Sequence, residues 1–345
     1  MSSRIDALRG SLQEPLLVTN PTNLLYLVRF KSSNAALLVE EDRVRLFSDF
    51  RYAEAAREVE GVEFVETRRA LLEDLAGRLS GRLGFESAYM SYAGYETLRE
   101  GGLELVPRPG LVEALRAVKD ERELHAHRRA CAITDRVYER LAEEAFVGRT
   151  ERDVAWTIAE LFHDEGAEGA AFETIVASGP NAAEAHARAT DRKIGRGETV
   201  VVDAGCTIDG YCSDYTRTFA TGTVSDELKE AYGVCLEAQE AALKGIRPGL
   251  SGVDADAIAR DIVDTTRFKG LFGHGLGHGV GLHEHEAPRL SPESAEVLEP
   301  GNVVTVEPGI YLSRVGGIRI EDDVAVTDGG MENLTNLRKD LVEVG

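Results

Sequence analysis

Hydrophobic and polar positions alternate regularly over about the first 118 residues of the chain. Short apolar runs predict strands, and the stretches between them, whose apolar positions recur every three or four residues, predict helices. Strands are predicted at residues 15–19, 35–39, 44–48, 62–65 and 82–85, and helices at 49–58 and 69–79. The pair Asn20-Pro21 predicts the start of another short helix, because asparagine caps helices and proline suits their first turn. This region is predicted to be an α/β domain.

Longer helical patterns begin after the proline-rich residues 107–110. Helices are predicted at 119–145, at 150–163 with Thr150 as the N-cap, at 225–244 and at 252–266, with Pro248-Gly249 separating the last two. Strands are predicted at 172–178, 198–206, 211–220, 303–307 and 317–323. These elements predict an α+β domain, so the expected organisation is one domain at residues 1–118 and a second at 119–345.

Length and composition narrow the class of protein. The 345 residues, 43% of them hydrophobic, suffice for two packed cores. Residues 1–10 lack the apolar core of a signal peptide, and no apolar run reaches the roughly 18 residues of a membrane-spanning helix. The cysteines show neither CxxC spacing nor the density of a disulfide scaffold; they are Cys131, Cys206, Cys212 and Cys235. We therefore expect a cytoplasmic protein with reduced thiols.

The formal net charge of −21 argues against two classes of partner. It opposes the phosphate neutralisation on which nucleic-acid binding depends, and it opposes attraction to anionic membranes, so neither partner is expected. The chain also has 7 lysines against 32 arginines. With the acidity, that ratio resembles proteins of salt-accumulating organisms, in which salt screens the repulsion between carboxylates. An ordinary acidic cytosolic protein is the alternative.

Two acids form the first candidate site. Asp203 and Asp214 lie in β-patterned runs joined through Asp209-Gly210, a strong hairpin signal. A hairpin would bring the two carboxylates together, where they would repel each other and raise one pKa unless a cation neutralised them. The alternative is a pair of acids facing solvent, which is common on so acidic a protein.

The segment 273–286 concentrates glycine and histidine. Glycines occupy alternate positions from 273 to 281, which would let the backbone approach a site closely. Half of the chain's eight histidines lie here, namely His274, His278, His283 and His285, and imidazole binds metals and carries protons. The spacing does not match the GxGxxG pattern, so a nucleotide cradle is not expected; a flexible surface loop is the alternative.

Two glutamates complete the candidate ligands. Glu307 ends an apolar strand pattern, and Glu321 shares one face of its predicted strand with Arg319, because side chains alternate along a strand. A salt-bridged surface strand is the alternative for the second stretch. Two aspartates, two glutamates and one histidine suit a pair of divalent ions such as Mn, Co or Zn. Such a pair could hold a bridging hydroxide and stabilise the oxyanion formed when it attacks a carbonyl.

These residues occur in a characteristic order. Ser178-Gly179-Pro180-Asn181 is followed by His186, then by the acid pair eleven residues apart, then by His278, Glu307 and Glu321. In this order the chain resembles the pita-bread metallopeptidases, in the branch of Xaa-Pro dipeptidases (prolidases) and Xaa-Pro aminopeptidases. Residues 18–23 and 46–52 are similar to the creatinase-like N-terminal domain of that branch. The resemblance implies an α/β creatinase-like domain followed by an α+β pita-bread catalytic domain.

The resemblance also implies which residues bind the two metal ions. Asp203 would bind one ion, Asp214 and Glu321 would bridge both, and His278 and Glu307 would complete the other. Glu307 would also serve as general base. Members of the branch commonly form dimers in which the leading domain borders an active site, so a homodimer is expected.

Further residues acquire roles by the same resemblance. His186 and His285 would bind substrate and stabilise the tetrahedral intermediate, while His274 and Arg319 would hold substrate or the ligand carboxylates in place. His283 has no implied role, and a surface position is expected for it. Arg289 is a candidate for binding the C-terminal carboxylate of a proline-containing peptide, because a guanidinium can engage it through two hydrogen bonds. Neutralisation of nearby acids is the alternative.

The expected activity is hydrolysis of an Xaa-Pro bond, by a dipeptidase or an aminopeptidase. Creatinase-type hydrolases share the fold but lack the full ligand set, and methionine aminopeptidases generally lack the leading domain. A non-catalytic binding protein on this fold would be expected to have lost at least one ligand, and here all five are present.

If the acidity reflects a high-salt habitat, stability should rise with salt. We expect the unfolding midpoint of the metal-loaded protein to increase between dilute buffer and molar KCl, because salt screens the repulsion among the carboxylates. Thermal unfolding across a KCl series measures this. Full stability in dilute buffer, with no further gain in salt, would contradict it.

Overall fold

The structure, a computed structural model, describes residues 2–345, with side chains from Arg4 onward. The chain forms two compact units, the first ending at Arg116 and the second beginning at Ala117. Each unit has its own sheets and its own apolar core. None of the helices in the described part of the chain has the length and apolar character that crossing a lipid bilayer requires.

The first unit is a six-stranded sheet with helices. Its strands are β1 (Leu16–Val18), β2 (Ala35–Val39), β3 (Val44–Asp49), β4 (Glu63–Thr67), β5 (Arg82–Phe85) and β6 (Glu104–Pro107). Its helices are α1 (Ser2–Arg9), α2 (Pro21–Val28), α3 (Ala53–Arg57), α4 (Leu71–Arg78), α5 (Tyr92–Glu100) and α6 (Leu111–Ala117). The strand order is β4-β3-β2-β1-β5-β6. Pairing is antiparallel within β1-β2-β3 and parallel at both sides of the sheet.

All five strands predicted for this region are present, with ends shifted by a few residues. Helix α2 begins after Asn20, whose side chain accepts a hydrogen bond from the backbone N–H of Thr22, as the Asn-Pro pair predicts. The helix predicted at 49–58 is shorter, because Asp49 ends β3. Its carboxylate accepts hydrogen bonds from the backbone and the guanidinium of Arg51, so α3 begins only afterwards.

The second unit combines four long helices with small antiparallel sheets. The helices are α7 (Glu121–Leu141), α8 (Glu151–Asp164), α9 (Asp226–Gly245) and α10 (Gly252–Asp264). The strands of its first half are β7 (Gly169–Ala170), β8 (Ile175–Ser178), β9 (Thr199–Ala204), β10 (Cys206–Ile208), β11 (Tyr211–Cys212) and β12 (Tyr215–Ala220). Those of its second half are β13 (Gly277–Gly279), β14 (Glu286–Leu290), β15 (Val303–Val306), β16 (Gly309–Leu312), β17 (Gly316–Arg319), β18 (Asp322–Thr327) and β19 (Gly330–Asn333).

Two apolar cores lie in this unit, each built on a pair of helices. Side chains of α7 and α8 pack with β9 and β12 in one core, and side chains of α9 and α10 pack with β15, β17 and β18 in the other. The buried Tyr138 of α7 donates its hydroxyl proton to the carbonyls of Val202 and Tyr215, which ties the helix to both strands. The strand pairs that carry the candidate acids therefore rest on separate helix pairs.

Two predicted elements differ from the structure in an informative way. The helix predicted at 119–145 begins later and ends earlier, since Asp120 and Glu123 form a capping box that sets the first turn of α7. The strand predicted at 317–323 is divided into β17 and β18, which belong to different sheets. The break falls at Glu321, whose backbone N–H donates to the carbonyl of Thr216 instead of continuing either strand.

Asp135 of α7 anchors the segment that follows β19. Its carboxylate is buried and accepts hydrogen bonds from the backbone and side-chain N–H groups of Asn336. Burial raises the pKa of Asp135 to about 6, although the hydrogen bonds from Asn336 lower it. Because the folded state binds this proton more tightly than the unfolded chain, the group's stabilising contribution is lost as pH rises through about 6.

The stability of the Asp135→Asn variant should therefore increase relative to wild type as pH rises. We expect the unfolding free energy of the variant, relative to wild type, to improve by up to about 1 kcal/mol between about pH 5.5 and about pH 7.5, because one pKa unit corresponds to about 1.4 kcal/mol and solvent screens part of the charge. Urea unfolding at the two pH values measures this. Glu160→Gln, at an exposed position of α8, is the control, and an equal response from both variants would contradict the assignment.

Candidate metal and substrate site

The hairpin predicted around Asp209-Gly210 is confirmed. Strands β10 and β11 pair antiparallel, and both turn residues have positive φ, 52° and 83°, as a tight two-residue hairpin turn requires. Next to this hairpin, β9 and β12 pair with Asp203 opposite Thr216. Asp214 lies two residues before Thr216, so both aspartates face the same side of the strand pair.

Gly205 permits the close contact that brings this hairpin back to the acids. A Cβ at this position would lie 1.7 Å from the backbone oxygen of Ser213, a distance that no side chain tolerates. The backbone N–H of Ser213 also donates to the carbonyl of Cys206. The absence of a side chain at Gly205 thus allows the backbone at Ser213 to pack against it, and this contact fixes the position of the adjacent Asp214.

His278 lies in β13, and Glu307 directly follows β15, the neighbouring strand of the five-stranded sheet. The Nε2 atom of His278 is 3.3 Å from Oε1 of Glu307 and 3.8 Å from Oδ2 of Asp214. A Cβ at Gly277 would lie 2.1 Å from the carbonyl oxygen of Thr305, so this glycine of the Gly/His segment serves strand packing. The Nδ1–H of His278 donates to the carbonyl of Gly279, which leaves Nε2 as the ligand atom.

Glu321 meets this group from the break between β17 and β18. Its Oε2 accepts a hydrogen bond of 2.5 Å from Oγ1 of Thr216. Asp214, His278 and Glu321 each offer a ligand atom, and these atoms lie within 4.8 Å of one another. Residues that are distant in sequence therefore converge on one point.

The electrostatics of this point fit a bound cation. Burial, and next the charge of Glu321, raise the pKa of Asp214 well above its usual value, and burial with the charge of Glu307 does the same for Glu321. One carboxylate oxygen of Asp203, Oδ1, is buried with no hydrogen-bond partner among the described residues. A divalent ion would neutralise the acids and supply that partner, so the donor set fits a metal.

His278 and Glu307 behave as a charged pair. Burial opposes ionisation of both, but the hydrogen bond between them holds the pKa of Glu307 at about 2 and raises the pKa of His278. The proton on Nε2 therefore occupies a position at which a metal ion would compete with it.

A second group of side chains lies behind the acids. Arg319 is buried and donates to Oδ2 of Asp203 at 2.6 Å, to Oγ1 of Thr216 at 2.9 Å and to the hydroxyl oxygen of Tyr311 at 3.1 Å. Tyr311 in turn donates to Nε2 of His274 at 2.8 Å, because Nδ1 of that ring carries its proton toward the carbonyl of Gly275. Burial lowers the pKa of His274, which favours its neutral form.

His285, His186 and Arg289 are the predicted substrate residues, and all three are exposed. The ring of His285 lies 4.1 Å from that of His278, between centroids. Arg289 of β14 stands directly opposite His278 of β13, so the two side chains share one face of the strand pair. His283 has an exposed side chain, as expected for a surface histidine.

His186 lies in the loop after β8. The carbonyl of the preceding Ala185 accepts a hydrogen bond of 2.9 Å from Arg319, which joins this loop to the acids. The structure therefore brings the His186 loop to the site through Arg319.

Sequence reasoning missed several residues that shape the site. Strand alternation could have indicated Thr216, two residues after Asp214. Tyr311 carries no comparable signal. Helix α10 also contributes a buried ion pair, in which Asp256 accepts from the backbone of Leu276 and Arg260 donates to the carbonyl of His274. Neither member of that pair lies near the motif in sequence.

Two family profiles match the chain. "Creatinase/Prolidase N-terminal domain" matches residues 4–118, and "Metallopeptidase family M24" matches residues 125–328, which is more than half of the chain. An Xaa-Pro dipeptidase of Pyrococcus horikoshii is 34% identical over 340 residues, which cover 97% of this chain and 95% of that protein.

Solved structures agree with these matches. An Xaa-Pro dipeptidase from Bacillus anthracis has a TM-score of 0.95 and 37% identity, covering 99% of each chain. An X-Pro aminopeptidase from Thermotoga maritima has a TM-score of 0.90 and 33% identity, covering 99% of this chain and 100% of that chain. The expected fold is confirmed, and the chain belongs to metallopeptidase family M24, with a creatinase/prolidase N-terminal domain ahead of the pita-bread catalytic domain.

Proposed function

We propose that the protein hydrolyses the peptide bond between an N-terminal residue and proline. The observation that carries this is the convergence of Asp214, His278 and Glu321, with buried acids that need a cation. Similar proteins named as Xaa-Pro dipeptidases support the substrate class. The direct test is cleavage of Xaa-Pro dipeptides after loading with Mn or Co. A protein that binds no metal and remains inactive after this loading would contradict the proposal.

Two divalent ions, with Mn, Co or Zn as candidates, are the proposed cofactors. Asp203 would bind one ion, Asp214 and Glu321 would bridge both, and His278 and Glu307 would complete the other. When bound, such a pair supplies Lewis acidity, which polarises a peptide carbonyl and makes a water molecule more acidic. The unpartnered Oδ1 of Asp203 supports this assignment, as does Nε2 of His278, whose proton a metal ion would replace.

The side chains around the ligands suit hydrolysis of an amide. The hydrogen bond from His278 outweighs burial and keeps Glu307 ionised at neutral pH, and a cation bound at Nε2 of His278 would favour the ionised form in the same way, so Glu307 can accept the proton of the attacking water. His285, next to His278, and His186 would donate hydrogen bonds to the oxygen on which negative charge develops. Arg319 would hold Asp203 in place directly, and His274, which is linked to Arg319 through Tyr311, would hold substrate.

Arg289 would decide between dipeptides and longer peptides. Its position opposite His278 places a guanidinium on the face of the strand pair that carries the metal ligand. A guanidinium can bind a C-terminal carboxylate bidentately, and in an Xaa-Pro dipeptide this carboxylate belongs to the proline itself. We therefore propose dipeptidase activity first. Aminopeptidase activity is the second candidate, because the X-Pro aminopeptidase of T. maritima has the same fold.

Other properties are proposed on narrower grounds. The four cysteines are free and buried, which suits a reducing cytoplasm. We also propose domains at 1–118 and 119–345, which the profile matches at 4–118 and 125–328 support. A homodimer is proposed from the resemblance to the branch, and sedimentation velocity would measure it. The charge of −21 disfavours nucleic acids and anionic membranes as partners.

Removing either proposed bridging acid should abolish activity. Asp214→Ala or Glu321→Ala should lower turnover of an Xaa-Pro dipeptide by more than about a hundredfold, because loss of residues that merely support metal ligands already costs about 10- to 100-fold. Metal content by mass spectrometry should fall in parallel, while the N-terminal domain stays folded. Asp328→Ala, an exposed acid after β18, is the control. Retained turnover in both variants would refute the ligand assignment.

Arg289→Ala should affect dipeptides selectively. We expect KM for an Xaa-Pro dipeptide to rise about tenfold or more, since hydrogen bonds between charged groups are worth about 1.5–3 kcal/mol. KM for the matching Xaa-Pro-Yaa tripeptide should change by less than about threefold, because its carboxylate lies one residue further away. Steady-state kinetics on both substrates, with Arg247→Ala as an exposed control, measure the split. Equal losses on both would exclude the proposed role.

A further inference from the structure

Glu151, the first residue of α8, is fully buried and has an unusually rich set of hydrogen bonds. Its Oε1 accepts from the backbone N–H of Ser178 at 2.8 Å, from Oγ of Ser178 at 2.7 Å and from Nδ2 of Asn181 at 3.1 Å. Its Oε2 accepts from Asn181 at 3.1 Å, from the backbone N–H of Thr190 at 3.1 Å and from Oγ1 of Thr190 at 2.6 Å. One carboxylate thus receives six hydrogen bonds.

These donors lie at the two ends of the loop that carries His186. Ser178 ends β8, Asn181 is in the 3₁₀ helix Gly179–Ala183 that opens the loop, and Thr190 lies beyond the histidine. The carboxylate of Glu151 therefore closes the loop at its base. Because both oxygens are used, rotation or loss of either would release one end.

The middle of the loop is held at other points. The side chains of Ala182 and Ala187 are buried in a small apolar cluster with Ala177 and Val201. The carbonyl of Ala185 accepts from Arg319. His186 itself is exposed and lies between the residue bound by Arg319 and the residue buried in the apolar cluster. Its location is therefore set by these contacts in the middle of the loop together with the base that Glu151 holds.

A carboxylate suits this position for a specific reason. All six contacts bring a hydrogen to Glu151, so the side chain must act purely as an acceptor, which ionised glutamate does and glutamine does not. Glu151 also follows the N-cap Thr150, where the helix dipole favours negative charge. A glutamine would turn an NH₂ group toward the N–H groups of Asn181 or Thr190, or of Ser178, and lose contacts at one end of the loop.

We propose that Glu151 is a positioning residue for His186, acting through the loop 178–190 and making no contact with substrate. The inference rests on the proposed Xaa-Pro hydrolysis, in which His186 stabilises the developing negative charge. Release of the loop at one end would displace the imidazole of His186 from the position in which it donates to the developing negative charge. Displacement of a catalytic group by about 1 Å can lower the rate by about a hundredfold.

The test is a double-mutant cycle on kcat/KM for an Xaa-Pro dipeptide, using the metal-loaded full-length protein. Glu151→Gln should lower kcat/KM by about tenfold to a hundredfold. If Glu151 acts through His186, then Glu151→Gln should add less than about a twofold loss to the His186→Ala variant, since coupled residues are non-additive. Losses that multiply would overturn the proposal.

Two further variants separate positioning from folding. Thr190→Val keeps the side-chain shape but removes the 2.6 Å hydrogen bond to Glu151, and it should give a smaller loss of about threefold, in the same direction. It also serves if Glu151→Gln does not fold. Asp153→Asn is the matched control, since it removes an acid of the same helical turn whose carboxylate accepts from the backbone N–H of Thr150, and kcat/KM should stay within about twofold.

Hydrogen exchange of the backbone provides a readout that does not depend on activity. Exchange at residues 179–190 should be faster in Glu151→Gln and Thr190→Val than in wild type, and unchanged in Asp153→Asn. Inactivity of the wild type on Xaa-Pro peptides would contradict the proposed function, and the exchange measurement would still decide whether Glu151 fixes the loop. Unchanged exchange in both loop variants would overturn this inference.

Discussion

Negative charge buried in an apolar interior is the constraint on which the site depends. Asp203, Asp214, Glu321 and Asp323 are all nearly inaccessible to solvent. Carboxylates in such surroundings either bind protons or require cations, and the pKa of Asp214 and of Glu321 is raised accordingly. Arg319 meets part of this need through Asp203, and the metal pair proposed here would meet the rest.

The acids remain together because the two halves of the second unit are connected through their backbones. The backbone N–H of Asp214 donates to Oδ2 of Asp323, and that of Glu321 donates to the carbonyl of Thr216. Arg217 adds a buried ion pair with Asp322 and a hydrogen bond to the carbonyl of Glu321. Each half therefore fixes the acids of the other, and the strand interrupted at Glu321 is what allows its side chain to turn toward Asp214.

Helices hold the segments that carry the histidines. Glu151 of α8 binds both ends of the His186 loop, and Arg260 of α10 binds the carbonyl of His274. In both cases a charged side chain holds backbone groups of the segment that carries an imidazole. Solved structures named as a dipeptidase and as an aminopeptidase both match 99% of the chain, so the fold and the ligand strands do not distinguish the two activities. Residues beside the ligands, such as Arg289, are where that distinction would arise.

The sequence by itself indicated many of the strands, the long helices and the hairpin at Asp209-Gly210, because alternation and turn chemistry are local properties, and the order of its motifs suggested the five candidate ligands. It could not determine that residues 317–323 divide between two sheets, since that break depends on the contact of Glu321 with Thr216. Nor could it find Tyr311, Glu151 or Arg260. Their importance comes from hydrogen bonds to residues distant along the chain, which only the packing of helices and strands in three dimensions decides.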